Sequence, residues 1–163
     1  MEKVNMAEIP WAEGKSPKGK FHRFRKDISA RLGSARPPTP EIARHPFEIE
    51  LVRVPAGAIN WPYHSHSAEH ELYVVVSGRA QVRTPEGTVE VGSSDVFYHP
   101  PGEPHQMSNP GPEELIYYVI ANNVYAGASI ADECHYPDSD KWATCSIGKC
   151  FRPAKVDYYD GEE

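Results

Sequence analysis

Cysteine is scarce in this 163-residue chain: Cys134, Cys145 and Cys150 are the whole supply, and none stands in a CxxC pair. An odd set without that spacing excludes a zinc ribbon and a disulfide-stapled scaffold, and is read as reduced thiols. A Cys145 to Cys150 bridge fits by spacing but has little support in a reducing compartment. No stretch approaches the roughly 20 apolar residues of a membrane span. Met1 to Glu8 lacks the apolar core of a secretory signal. A cytoplasmic protein with no membrane partner is expected. Basic residues are also scarce beyond residue 45: residues 1–45 hold ten Lys or Arg against five Asp or Glu, and the remainder seven against eighteen, within a net charge of −6. An acidic body excludes nucleic acid as the main partner, because phosphate contacts need a basic surface beside the reading element.

What is abundant is turn chemistry. Sixteen prolines and twelve glycines, with 39% hydrophobic residues, point to an all-β domain of short strands and few helices. Three regions follow from the pattern. Residues 1–45 form a basic, irregular arm that ends in the joint Arg36-Pro-Pro-Thr-Pro40; residues 46–121 form the barrel core; residues 122–163 form an extension that packs on it. Within the core, strands are expected at Phe47–Val54, Glu71–Val76, Arg79–Thr84, Thr88–Val91, Val96–Tyr98 and Leu115–Ala121, with turns at Pro85-Glu-Gly87 and Asn109-Pro-Gly-Pro112. Eight or so short strands close a small barrel. No internal repeat is present, so one barrel is expected. The arm carries Phe21 and Phe24 between basic residues, a pattern open to RNA, but a peripheral strand or arm that packs on its own barrel or on a partner's acidic one is preferred. That charge complementarity predicts a homodimer.

Two segments carry chemistry. The first runs Gly57-Ala-Ile-Asn-Trp-Pro-Tyr-His64-Ser-His66-Ser-Ala-Glu-His-Glu71 and on to Gly78; the second runs Pro100-Pro-Gly102-Glu-Pro-His105-Gln-Met-Ser-Asn109. Strand side chains alternate, so His64 and His66 point the same way, and Glu71, Tyr73 and Val75 share a face of the next strand. Pro and Gly force a tight turn just before His105.

These residues resemble the two signature motifs of the cupin superfamily. The likeness covers roughly residues 46–121 and includes the HxH, glutamate and glycine spacing of the first motif and the PxG, histidine and asparagine of the second. Two departures stand out: six rather than five residues separate Gly57 from His64, and Ser94 stands where a glycine is expected six positions before Pro100. Both lie in turns, where change is tolerated. The resemblance implies a single cupin-type double-stranded β-helix, or jelly roll, with one divalent ion held inside by His64, His66, Glu71 and His105. The segments Cys134–Trp142 and Asp157–Glu163 are similar to the carboxy-terminal extension of a subgroup of small prokaryotic cupins, some labelled sugar-phosphate isomerases.

Three imidazoles and a carboxylate leave coordination positions open for water or substrate, as catalytic sites require. Mixed nitrogen and oxygen ligation suits Zn, Fe, Mn, Ni or Co and does not choose among them. His70 is read as an exposed neighbour, and His22, His45 and His135 lie outside the motifs; His99 fits either the barrel lining or the solvent face. Tyr73 is the candidate acid or base, an arrangement similar to cupin lyases that act on dimethylsulfoniopropionate, although the same ring also serves to fill a barrel. Trp61, Tyr63 and Met107 are candidate substrate contacts. Tyr158 and Tyr159 are expected to pack on the outside of the barrel. Only Arg53, Arg79 and Arg83 are basic among the barrel strands, which argues against a phosphorylated substrate. The expected function is metal-dependent isomerase, lyase or dioxygenase chemistry on a small oxygen-rich molecule. The alternative is a non-catalytic, metal-stabilised module that binds or senses a small molecule.

Overall fold

The computed structural model describes residues 1–34, 46–122, 132–144 and 149–161. His45, Cys145 and the whole proline-rich joint lie outside those residues. The amino-terminal segment is regular where irregularity was expected. It forms β1 (Ala12–Lys15) and β2 (His22–Asp27), which pair antiparallel, and a short helix α1 (Ile28–Arg31) capped by the Asp27 side chain. A peripheral strand is among the expectations for this arm, but the basic residues at Arg23 and Arg25 leave no apolar stripe from which its bounds could be read.

Eight strands then build the barrel: β3 (Phe47–Val54), β4 (Ser65–His66), β5 (Glu71–Ser77), β6 (Arg79–Thr84), β7 (Gly87–Gly92), β8 (Val96–His99), β9 (Gln106–Ser108) and β10 (Leu115–Asn122). The extension adds β11 (Glu133–Tyr136), β12 (Lys141–Thr144) and β13 (Lys149–Phe151). One six-stranded sheet runs in the order β1-β2-β3-β10-β5-β8, a second β13-β12-β11-β4, and a third β7-β6-β9. The two segments outside the barrel core therefore extend its sheets, the first through β2 on β3 and the second through β11 on β4.

Alternation along β3, β5 and β10 explains how one barrel holds both a core and a site. Val52 and Val54 on β3, Val75 on β5, and Leu115 and Tyr117 on β10 meet Ala80, Val82 and Met107 in a closed apolar cluster. Two residues further along the same inward face of β3, the side chains become Glu50 and Glu48, both buried. On β10 they shrink to Val119 and Ala121, and on β5 the face ends at Glu71. The change from apolar to charged along one face marks where the packed floor stops and a polar cavity begins.

Two turn positions fix the register. Gly78, between β5 and β6, has φ +83°, and a Cβ there would stand 2.5 Å from the Glu114 carbonyl oxygen. Ser94 has φ +75°, the left-handed conformation a glycine would take with less strain, and its backbone N–H donates to Val75 at 2.9 Å. The backbone at this departure from the motif thus keeps a glycine-like shape with a serine in it. Asn109 is buried; its Nδ2 donates to the carbonyls of Val54 and Glu113, and its Oδ1 accepts from Gly111. Tyr158 and Tyr159, expected to pack on the barrel, are instead 88% and 61% exposed and contact each other edge to face. No helix of the described residues is long and apolar enough to cross a membrane.

Candidate metal centre

The two motif segments are stitched together at their histidines. The His64 N–H donates to the His105 carbonyl at 3.1 Å and the His105 N–H donates back to His64 at 2.8 Å. This isolated antiparallel bridge sets both imidazoles on the inward side. His66 follows two residues after His64 on β4, and Glu71 opens β5 directly opposite His99 on β8. One ligand atom each from His64, His66 and Glu71 lies within 4.8 Å of the others. Nε2 of His105 is 2.8 Å from Glu71 Oε2, and Nε2 of His66 is 3.8 Å from the same oxygen.

The tautomers are set by what each Nδ1 touches. Nδ1 of His64 donates to the Pro62 carbonyl at 2.8 Å, that of His105 to the Glu103 carbonyl at 3.1 Å, and that of His66 to Asp132 Oδ2 at 2.6 Å. A proton held on Nδ1 leaves Nε2 free to carry a lone pair, the form in which imidazole binds a metal. His105 Nε2 and Glu71 Oε2 are buried without a well-directed hydrogen bond, although they stand at contact distance. Two donors each about 2.1 Å from a shared ion at right angles stand about 3 Å apart, so this pair fits a common metal. The donor set of three imidazoles and a carboxylate suits a first-row divalent ion.

Charge is arranged in the same sense. Burial, followed by repulsion from His105 and His66, pushes His64 down to about 3, so it is neutral at ordinary pH. Burial alone would raise Glu71, but His105, His66 and His64 hold it down at about 2. Burial would lower His66, yet the hydrogen bonds to Asp132 and Cys134 and the charges of Glu71 and Glu69 hold it up to about 12, so before an ion binds it carries a second proton on Nε2, which metal binding would displace. A nest of acids that tight is also what keeps a cation in place.

Two supports of the centre escaped the sequence reading. Asp132 is 1% exposed; beyond His66 it accepts from the backbone N–H groups of Ala68 at 2.9 Å and Glu69 at 3.3 Å. With Cys134 it forms a second group of close ligand-type atoms around His66, on the Nδ1 side. Nothing in the sequence separates Asp132 from a solvated acid, because its partner lies 66 residues away. His99 is buried, stacks flat on His105 with centroids 4.1 Å apart, and hydrogen-bonds Glu103 at 2.6 Å. Its position opposite Glu71 follows from the β5 to β8 pairing, which periodicity alone does not reveal.

A cavity of about 270 Å³ opens onto His64, His66 and Glu71. Trp61 and Tyr73 line it; Tyr63 and Met107 do not. Tyr63 packs beneath Arg83, whose guanidinium stands 3.8 Å from its ring centre, and Met107 belongs to the apolar floor. Tyr73 is 6% exposed and stacks parallel to Phe97 at 5.0 Å. Burial, then the Glu71 charge, raises its phenol well above the ordinary value. His70 is exposed and stacks on Tyr98. Arg23 and Arg25, from the arm, also line the cavity. This corrects the expectation that basic side chains are missing from the site: the barrel strands lack them, and β2 supplies them.

The sequence of residues 50–121 matches the cupin domain family model. Over 82 residues, half of this chain, it is 32% identical to the xanthan biosynthesis protein XanB of Xanthomonas campestris, and the match spans only 17% of that protein's length. Among solved structures, a sugar phosphate isomerase of the cupin superfamily from Silicibacter pomeroyi superposes with a TM-score of 0.73 at 18% identity, over 94% of this chain and 97% of the other. The polyketide cyclase RemF from Streptomyces resistomycificus superposes with a TM-score of 0.57 at 22% identity, over 75% of this chain and 79% of the other. The two signature motifs, the barrel they close and these matches agree, and the chain carries a cupin domain extended at both ends by strands of its own.

Proposed function

We propose that this protein is a divalent-metal enzyme of the isomerase, lyase or dioxygenase type, acting on a small oxygen-rich molecule. One observation carries the reading: the cluster of His64, His66 and Glu71, with His105 beside it, faces a cavity of about 270 Å³ and is not sealed within the core. Structural metal sites are closed, whereas catalytic ones keep a side open for substrate. The volume is near the lower end of the roughly 300–1,000 Å³ of ligand sites, which suits a metabolite and not a polymer. Isomerisation is the first class to screen, since a solved cupin of similar overall build bears that name.

His64, His66, Glu71 and His105 would hold the ion, which when bound would polarise substrate oxygens as a Lewis acid. The chain's own groups then divide the remaining work. The Tyr73 phenol lines the cavity beside Glu71 and is the group placed to exchange a proton with a substrate, as acid or base. Trp61 supplies an apolar wall at the cavity, and Tyr136, which stacks on His64 with centroids 5.9 Å apart, lines the same cavity.

The test is the metal content of untagged protein by elemental mass spectrometry, followed by spectra with and without oxygen. One ion per chain is expected. Iron with an oxygen-dependent spectral change directs screens to dioxygenase substrates, and other metals direct them to isomerase and lyase substrates. Absence of any metal, together with failure to bind added Zn(II), Mn(II) or Fe(II), overturns the proposal.

A further inference from the structure

We infer that Arg23 is the anion-recognition residue of the cavity, and that the molecule bound there carries an acidic group together with hydroxyls, as in a polyhydroxylated acid or its phosphate ester. This deepens the metal-enzyme reading above and rests on it for the location of the site. The two arginines of β2 point the same way, because Arg25 sits opposite the inward-facing Val52 and Arg23 is two residues along. Their circumstances differ. Arg25 is committed to Glu50 through a 2.6 Å contact. Arg23 has no carboxylate within ion-pair distance among the described residues; it lies against the Trp61 ring, with the guanidinium carbon 4.4 Å from the ring centre. Stacking on an aromatic face fixes the plane of a guanidinium and leaves its N–H fork free for a planar or tetrahedral oxyanion.

An independent observation lies beside it. Asn60 is 8% exposed, lines the same cavity, and gives its Nδ2 to the Tyr117 hydroxyl at 2.6 Å, while its Oδ1 is buried with no partner. Arg23, Asn60 and Tyr117 all line this one cavity. A buried acceptor left unpaired is costly unless a ligand donates to it, and a substrate hydroxyl is such a donor. Arg23 and Asn60 thus present a cation and an acceptor, the complement of an acid with a neighbouring hydroxyl.

Three probes with one six-carbon skeleton separate the contributions: gluconate, sorbitol and sorbitol 6-phosphate, titrated by calorimetry into the full-length protein with its metal content measured before and after. In the native protein one or both anionic probes should bind at least tenfold more tightly than sorbitol, and whichever binds more tightly identifies carboxylate or phosphate as the recognised group. Arg23→Gln should reduce the preference by about tenfold to a hundredfold, the usual worth of a charge-assisted hydrogen bond. Arg23→Lys, which keeps charge but not the fork, should fall between. Asn60→Ala should weaken all three probes alike and leave their ratio intact. An anion preference that survives Arg23→Gln, or native protein with no preference for either anion, overturns the inference. A chain that holds no metal and takes up none of the added Zn(II), Mn(II) or Fe(II), yet still selects the anion through Arg23, would instead sink the metal-enzyme reading and leave this one standing.

Discussion

Asp132→Asn is the sharpest perturbation of the centre, because it alters the oxygen that faces His66 and the Cys134 thiol while sparing the one that holds the backbone. Oδ1 of Asp132 accepts from Ala68 and Glu69, and an asparagine oxygen can keep both bonds. Oδ2, 2.6 Å from His66 Nδ1, becomes an amide nitrogen whose hydrogens face an N–H. The imidazole relieves that clash by moving its proton to Nε2, the atom needed for the metal. Loss of a carboxylate behind a metal-bound histidine typically weakens binding ten- to a hundredfold, about 1.4–2.7 kcal/mol. Metal-free stability should fall as well, since the buried His66–Asp132 pair is lost although the backbone contacts persist. Asp132→Ala should additionally destabilise the fold by about 1–3 kcal/mol, from orphaned N–H groups. Glu69 Oε2, 3.2 Å from the same Nδ1, is the available substitute acceptor, so Asp132→Asn with Glu69→Gln should weaken binding further than either alone. Chelator competition with Zn(II) measures the affinity, and nitrogen chemical shifts of His66 report the tautomer. An Asp132→Asn protein with native affinity and an unchanged His66 tautomer would refute the claim that this carboxylate orients the ligand.

Four further outcomes are expected. His66→Ala should lose the bound metal and retain its circular dichroism spectrum; unaltered metal content would remove His66 from the ligand set. Tyr73→Phe should keep the metal and the fold but lower turnover by about a hundredfold, as expected for a general acid or base, and an unchanged kcat would reduce Tyr73 to packing. Gly78→Ala should cost about 2–5 kcal/mol, from left-handed strain plus the 2.5 Å approach to Glu114, lowering the melting temperature by about 5–15 °C in thermal denaturation. Ser94→Gly should raise stability by about 0.5–1 kcal/mol by relieving φ +75°, and a destabilised variant in the same assay would show that the serine side chain contributes more than the backbone strain costs.

The legible parts of this chain are those where local spacing and final position coincide. Phe47–Val54 alternates cleanly, so β3 has the expected bounds, and the hairpin at Arg79 to Gly92 follows from its turn residues. His64 and His66 share a face because they stand two residues apart on one extended segment, His64 just before β4 and His66 within it, and His105 is positioned by the turn that precedes it. What could not be read is what depends on pairing at long range. Tyr63 precedes the HxH by one residue, yet it turns away to Arg83, because adjacent side chains along an extended chain take opposite sides. Arg23 lies 41 residues before His64 and reaches the same cavity only because β2 pairs with β3, a contact that basic residues in an apparent arm do not announce.

The added strands have a consequence for how the site is assembled. The barrel core contributes the candidate metal ligands, His64, His66, Glu71 and His105, and little beyond them that carries positive charge. β2 brings Arg23 and Arg25, while Asp132, just before β11, and Cys134, within it, stand against His66. Ligand atoms and their environment are therefore separable in the chain: the motif segments set where an ion would sit, and the flanking strands set which molecule meets it and how firmly His66 is held. A barrel trimmed to residues 46–122 would keep all four candidate ligands yet lose the acceptor on His66 Nδ1 and both cavity arginines. The full chain is for that reason the species in which metal affinity and ligand preference should be compared, and variants in the flanks should alter both without touching a single metal ligand.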